Sequence, residues 1–473
     1  MNGARAVLRV SGVAPTERGV RPKFPRHRTC QSSSSSARCL RVVSSASSEG
    51  ADASTRVETL DRLAAFVRAG GGRASVTRVG EGARGRGLFA ARDISAGEAV
   101  VSVPLSIVMS DDAMPEPYPG APWSVTLAAA LLTQQRLGAA SDWAAYVSSL
   151  PKETIGWANS PEAGKDRRDA LGCDAAAEEE MERYATLVDG SHRAMTMMHH
   201  GWSAEEWRWA MSQVHSRTFR VETRGGGEDL RVMVPWVDLL NHDSREDVWQ
   251  CEWGAEWGGD GKDRDDGAFV VRAARDIAAG EELLISYGER SDRHFLLFYG
   301  FLPDPNPHNA VALFDGLEEA AAWYEELCGE EGEDAARRWA ALRSRAVAQV
   351  CAEERRKERK AAGRAEDEDD DAAGRGEAAS ESWTSAEAEA QEAATLNIGV
   401  GASVDERLLR LFELLCDDPD MAVAAVRVRA AQLLDAYGGD ENDVEENAEG
   451  ASEAARLSSG YRARRKALLL EIA

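Results

Sequence analysis

Apolar residues recur along this chain with two different periods. In residues 56–69, RVETLDRLAAFVRA, Leu60, Leu63, Ala64 and Val67 share one helical face, and the glycines at 70–72 end the run. Short β-type runs follow: ASVTRV, then GLFAARDI and AVVSVP on either side of turn-forming residues. From about 122 to 222 the period becomes helical in WSVTLAAALLTQQRLG, EEEMERYATLVDGSHRAMTMM and SAEEWRWAMSQVHSRTF. Strand patterns return in LRVMVPWVDLLNH, VWQCEW and AFVVRAARDI, with the turn-rich, charged GGDGKDRDDG predicting a hairpin loop between the last two. Beyond about 310 the chain reads as helical to its last residues, including YRARRKALLLEIA, except that residues 361–397 read as a disordered acidic and Ala/Glu/Ser-rich insertion. The pattern predicts an α+β protein.

One phrase occurs twice. AARDISAGEAVVSV (90–103) and AARDIAAGEELLIS (273–286) agree at eight of fourteen positions. Two copies are too few for a solenoid or propeller. The A-G-E supplies a turn, the apolar residues beside it read as strands, and Arg-Asp can close the turn from outside. The repeat therefore predicts a folded-over sheet with two similar corners, split by the helical insert.

Composition sharpens this picture. Net charge over 473 residues is −25, but residues 1–48 carry nine Lys/Arg, ten Ser and a single acid, Glu17. Such a segment matches an organelle transit peptide, with chloroplast favoured by the Ser runs, or else a basic disordered tail. The rest of the chain, at −25 − 8 = −33, would repel nucleic acid and tolerate a basic protein. No apolar run is long enough for a membrane span. The seven cysteines, at 30, 39, 173, 251, 328, 351 and 416, form no CxxC. That argues against a disulfide framework or structural zinc and reads the cysteines as small core fillers in a reducing compartment such as the stroma.

Four motifs carry candidate chemistry: ARGRGLFAARDI (83–94), HSRTF (215–219), VPWVDLLNHDS (234–244) and GEELLISYGERSDRHFLLFYGF (280–301). Gly85 and Gly87 let a ligand approach the backbone, but the motif leads into a strand, which disfavours a dinucleotide loop. Taken alone it reads as a hairpin turn with two solvated arginines. Arg217 can hold a carboxylate through a bidentate fork or satisfy helix-end carbonyls. Asp238, Asn241 and His242 follow an apolar strand and need hydrogen-bond partners. A metal at His242 is disfavoured, because no second His or Cys stands at ligand spacing. Tyr287 can be a half-buried strand aromatic or a functional phenol.

In this order the motifs resemble those of SET-domain protein methyltransferases, specifically the plastid Rubisco large-subunit methyltransferase group, over about 57–310 and more weakly beyond. The resemblance implies small β-sheets with a pseudo-knot, a helical insert at about 122–222, and an all-α C-terminal domain (311–473) that binds the protein substrate. It implies S-adenosyl-L-methionine as cofactor, held by Arg84, Gly85, Arg86, Arg217, Asp238, Asn241, His242, Tyr299, Gly300 and Phe301, with Tyr287 catalytic and no metal. The implied reaction is methyl transfer to an accessible lysine of a plastid protein, such as the Rubisco large subunit or fructose-bisphosphate aldolase. The acceptor must be neutral, and deprotonating a free lysine at pH 7 costs about 4 to 5 kcal/mol. The alternatives are a scaffold that binds protein without turnover, for which Asp292 (where the family usually has Asn) is the main argument, and transfer to histidine. The zinc-binding cysteines of histone-directed members are absent.

Overall fold

The computed structural model of this chain describes residues 40–41, 52–159, 171, 174–222, 229–258, 267–329, 332–361, 394–436 and 453–473. Every described residue belongs to one compact unit, Ala37–Ala473. The segment read as a transit peptide lies outside the described residues apart from Leu40–Arg41, which pair antiparallel with Phe301–Leu302. Most of the acidic insertion also lies outside them. None of the described helices is long and apolar enough to cross a membrane.

The N-terminal helix, Asp52–Ala69, buries Leu63 and Val67, as its periodicity requires. Behind it stand several small sheets. Thr77–Gly82 and Gly85–Ala90 form a hairpin whose turn depends on Gly85, at φ +81°. Ala99–Pro104, Gly267–Ala273 and Cys251–Trp257 form an antiparallel sheet, with Gly267–Ala273 in the middle. Met109–Ser110, Leu230–Met233 and Thr218–Val221 form another, and Leu284–Ile285 runs parallel to Asn241–His242.

The repeated phrase folds as two halves of one clasp. Ile94 and Ile277 exchange backbone N–H···O bonds, both 2.9 Å. Gly97 N–H donates to Ala273 O (2.7 Å), and its counterpart Gly280 donates to Ala90 O (2.8 Å). Ala273 N–H donates to Glu98 O, and Ala90 N–H donates to Glu281 O. The aspartates cross over as well. Ala96 N–H donates to Asp276 Oδ1 and Ala279 N–H to Asp93 Oδ1, each at 2.8 Å. Each bond has a mate 183 residues away, so the clasp has local two-fold symmetry. The Asp of each copy closes the partner copy's turn, not its own.

Between the copies, the insert consists of helices Trp123–Leu137, Ala144–Ser149, Ala175–Met197 and Ala204–Arg217. The last begins at a capping box of Ser203 and Glu206 and ends at Arg217, where strand Thr218–Val221 starts. The helical insert therefore stops five residues before its expected boundary at 222.

Two expectations for the C-terminal region need correction. It is not all-α: Ala310–Phe314, Leu396–Gly399 and Ser403–Val404 form an antiparallel sheet under helices Leu317–Cys328, Glu333–Ala361, Glu406–Cys416 and Pro419–Ala436. The insertion read as 361–397 also ends in ordered structure, because Leu396 and Ile398 are fully buried on that sheet. These strands are too short to show an alternation, and the polar tract before them masks the change. The cysteine reading holds for Cys251, which is buried, but Cys328 is exposed and Cys351 and Cys416 are half-buried. The final helix, Glu453–Ile472, enters both hydrophobic cores, placing Leu457 and Tyr461 in the first and Leu468 and Leu469 in the second.

Candidate active site

The turn that carries Asp238 begins at a strained residue. Trp236 sits at φ +75°, ψ −42°, a conformation that non-glycine residues adopt only when their surroundings hold them there. Its indole N–H donates to Thr77 Oγ1 at 3.0 Å, tying the turn to the first hairpin. The next residues form a 3-10 turn, Val237–Leu239, which drops Asp238 into the protein and delivers Asn241–His242 into their strand.

Asp238 accepts from the Tyr146 hydroxyl at 3.1 Å and from Arg217 Nη1 at 3.4 Å; the same guanidinium donates to the Asp238 carbonyl at 3.0 Å. Burial pushes the carboxyl above its ordinary range, and the Arg217 charge opposes the shift. Arg217 is thereby fixed at the helix end with one edge toward a cavity.

That cavity has a volume of about 260 Å³ and is lined by Tyr287, Tyr299, Leu240, Phe219, Trp253 and several arginines, among others. The Tyr287 hydroxyl donates to Leu240 O at 2.6 Å, and the ring stacks on Tyr299 with centroids 5.3 Å apart. Phe219 meets Trp253 edge-on at 5.1 Å, and Trp253 stacks on Phe269. A cavity lined by aromatic rings, the Tyr287 phenol and Leu240 can take a flat or cationic side chain, and the phenol oxygen can orient the lone pair of a neutral nitrogen.

His242 lies on the other side of Tyr287. Its Nδ1 accepts the Tyr287 backbone N–H at 3.0 Å, which requires the proton on Nε2, where the ring meets Ser244 Oγ at 2.8 Å. Burial lowers its pKa to about 4, so the imidazole is neutral. It stacks between Tyr287 (5.0 Å) and Phe295 (4.6 Å), with Phe301 at 6.2 Å. A narrow recess of about 10 Å³ opens here, lined by Arg84, His242, Asp243, Ser244, Phe301 and the Pro303–Pro305 loop. A recess of this size is smaller than any ligand. Arg84 is held by Asp243 and by Glu282 at 3.3 Å. Asn241 donates to Glu282 Oε1 at 2.8 Å and to Arg86 O at 3.2 Å. A Cβ at Gly87 would stand 2.6 Å from Asn241 Nδ2, so any side chain there would displace the Asn241 and Glu282 side chains.

Residues 85–288 match the family model described as "SET domain". The chain carries a SET domain. Relatives of this SET-domain chain include the actin-histidine N-methyltransferase of Dasypus novemcinctus, 26% identical over 260 residues, which cover 51% of this chain and 42% of that protein. The Homo sapiens protein of the same description is 25% identical over 260 residues, covering 51% of this chain and 41% of its own length. The chain thus spans less than half the length of the curated relatives it matches. Among solved structures, the SET domain of LSMT bound to lysine and AdoHcy aligns with a TM-score of 0.57 at 17% identity, covering 88% of this chain and 90% of that one. Rubisco LSMT bound to AdoMet aligns at 0.54 and 16%, over the same shares. At such identities the likeness carries the fold, which is the mixed α+β SET architecture.

Of the residues singled out from sequence, the SET domain brings Arg217, Asp238, Tyr287 and Tyr299 to the aromatic cavity, and Arg84, His242 and Phe301 to the recess. Gly85 shapes the hairpin turn, and Asn241 stands behind the recess. Arg86 donates to Ser149 O at 3.3 Å, and its charge acts on the buried Asp238 carboxyl. Gly300, at φ +71°, ends the π-helical turn Phe295–Tyr299 and sets the angle between Tyr299 and Phe301. Sequence reasoning missed Phe219, Trp253, Glu282 and Arg290. Phe219, Glu282 and Arg290 lie inside the quoted motifs, but Trp253 was visible only as one more aromatic in a strand.

Proposed function

We propose that this chain is an S-adenosyl-L-methionine-dependent protein N-methyltransferase that modifies a lysine side chain, and that Tyr287 is its catalytic residue. The observation that carries the reading is the placement of Tyr287, which lines the aromatic cavity, donates its hydroxyl to Leu240 O and stacks its ring on His242 at the recess. A donor and an acceptor approaching from these two sides meet across one side chain. The groups present suit the cofactor chemically: a guanidinium at Arg217 for a carboxylate, the Asn241–His242 backbone for amino and adenine hydrogen bonds, and the Phe301 ring for an adenine face. When bound, the cofactor supplies an electrophilic methyl on a sulfonium.

The remaining work falls to the chain. Phe219, Trp253 and Tyr299 strip water from the acceptor, which lowers the pKa of an amine. The Tyr287 hydroxyl, spent as a donor on Leu240 O, presents its lone pairs to the amine N–H and so aims the nitrogen lone pair along the transfer line. Backbone carbonyls such as Leu240 O can hold methyl hydrogens weakly. Neutral His242 fixes the backbone of Tyr287.

Labelled cofactor incubated with the full chain and candidate proteins tests the reading. Label should appear on lysine and vanish with Tyr287→Phe. Cofactor binding with no label on any protein would replace the enzyme with a scaffold. Histidine is the second reading, favoured by the likeness to the actin-histidine N-methyltransferases; mass mapping of the labelled residue decides. The basic, Ser-rich residues 1–48 support a place in the chloroplast stroma, with a plastid protein such as the Rubisco large subunit as target. A fluorescent fusion of that segment that stays outside plastids would end this part of the proposal.

A further inference from the structure

We infer that the acceptor side chain taken by this cavity lies in an acidic stretch of its protein, with carboxylates on one or both sides of the modified residue. The inference rests on the reading of the cavity as the acceptor channel, and it goes beyond that reading to the substrate's sequence character.

The chain as a whole is strongly acidic, at −25. The cavity lining inverts that balance. It contains Arg217, Arg220, Arg231 and Arg290, and one carboxylate, Asp238. Asp238 and Arg217 are committed to each other, and the Tyr146 hydroxyl donates to the same buried carboxylate, so the basic surplus rests on Arg220, Arg231 and Arg290. The arginines do not form a run along one solvated helix. They come from a helix end, two strands and a loop, and converge on the same opening.

The second observation is a register. Arg220 and Arg231 are direct cross-strand partners in the antiparallel pairing of Thr218–Val221 with Leu230–Met233. Partners so paired project to the same face, a few ångströms apart, and like charges there destabilise a sheet. Both residues of this pair line the cavity. Asp229 offsets Arg220 at 2.6 Å, but this pair is solvent-exposed on the arginine side, and such pairs exchange partners at little cost. Arg231 is held over the Trp123 ring at 5.4 Å, which fixes its direction. Arg290 approaches the cavity wall closely enough for its charge to act on the Tyr299 phenol and the His294 imidazole. Guanidiniums lining one cavity suit carboxylates, which each can grip bidentately. Nucleic acid offers anions too, but the rest of the chain repels a long polyanion.

Fluorescence anisotropy with the full chain tests this without turnover. The probes are short labelled peptides with one central lysine, flanked on both sides by Glu, by Gln or by Lys. We expect the Glu-flanked peptide to bind about tenfold more tightly than the Gln-flanked one, and the Lys-flanked peptide more weakly still. Added salt should narrow the difference. Arg220→Glu should level or reverse the order, and the milder Arg220→Gln should reduce it. Equal affinity for the three peptides, no binding by any of them, or an order unchanged in Arg220→Glu would overturn the inference. Parallel assays for methyl label separate the two claims. A preference for Glu without label defeats the proposed reaction alone, and label without the preference defeats this inference alone.

Discussion

At positions 99 and 282, which are equivalent in the two copies of the repeated phrase, the chain places Ala in one and Glu in the other; at 104 and 287 it places Pro and Tyr. The backbone bonds of the clasp are matched on both sides. The first copy runs into Ala99–Pro104, a mostly buried strand of ordinary apolar packing. The second runs into Leu284–Ile285, whose side chains and successors meet Asn241, His242 and the cavity. The clasp itself is thus chemically neutral, and a few substitutions at one of its exits make the site. Even its exposed arginines differ: Arg92 pairs with Glu98 in its own turn, and Arg275 donates to the carbonyls of Asp247 and Val248.

Four perturbations would break or sharpen this contrast. The largest effect is expected from Tyr287→Phe, which should cut methyl transfer by at least about a hundredfold while leaving thermal stability nearly unchanged. A variant that keeps its rate would remove chemistry from the second copy altogether. Glu282→Ala comes next. It strips a largely buried carboxylate from Arg84 and Asn241 and should cost about 3 kcal/mol in denaturant unfolding, whereas Ala99, its equivalent, has no charge to lose. Asp93→Ala and Asp276→Ala should each cost about 1 kcal/mol, and by the same amount, because each accepts one backbone N–H from the opposite turn. Unequal losses would show that the clasp is symmetric in geometry only. Arg92→Ala should leave the melting temperature where it was, since both partners of that ion pair are solvated.

Acidity should also act on one side only. His242 has its folded pKa depressed to about 4, against about 6.5 when unfolded. Below pH 6.5 the unfolded chain takes up a proton that the folded one refuses, so the stability present above 6.5 is lost as pH falls toward 4. The buried ring of His215, likewise lowered to about 4, adds to the loss. Amide exchange at Leu284–Tyr287, which lean on His242, should speed up over that window before exchange at Val100–Val103 does. Simultaneous loss of protection would contradict the assignment.

Much of this was legible in the sequence, for a physical reason. Asp238, Asn241 and His242 sit at a tight turn after an apolar run, and Tyr287, Tyr299 and Phe301 cluster near the end of another, so short motifs carried most of the site. Cross-strand placement was not legible. Nothing local in HSRTFR or LRVM says that Arg220 will face Arg231, because pairing depends on the loop and the sheet. Trp253 reaches the cavity through the same kind of long-range register. The strand at Leu396–Gly399 was hidden by its low-complexity neighbour and by its dependence on Ala310–Phe314, more than eighty residues earlier. Asp292 looked like a defect in a motif. Buried, it accepts from Asn306 at 2.9 Å and pairs with Arg464 at 3.2 Å, a partner that only the folded C-terminal helix brings.

That helix has a consequence for the protein's birth on the ribosome. Arg464 reaches Asp292 beside the SET domain, Arg465 reaches Asp174 at 3.4 Å, and Leu468 and Leu469 plug the second core. Neither half can be sealed while residues 453–469 are still inside the exit tunnel. Nascent chains stalled before that point should remain open to protease across both halves, and the fold should close in one step that waits for residues 453–469.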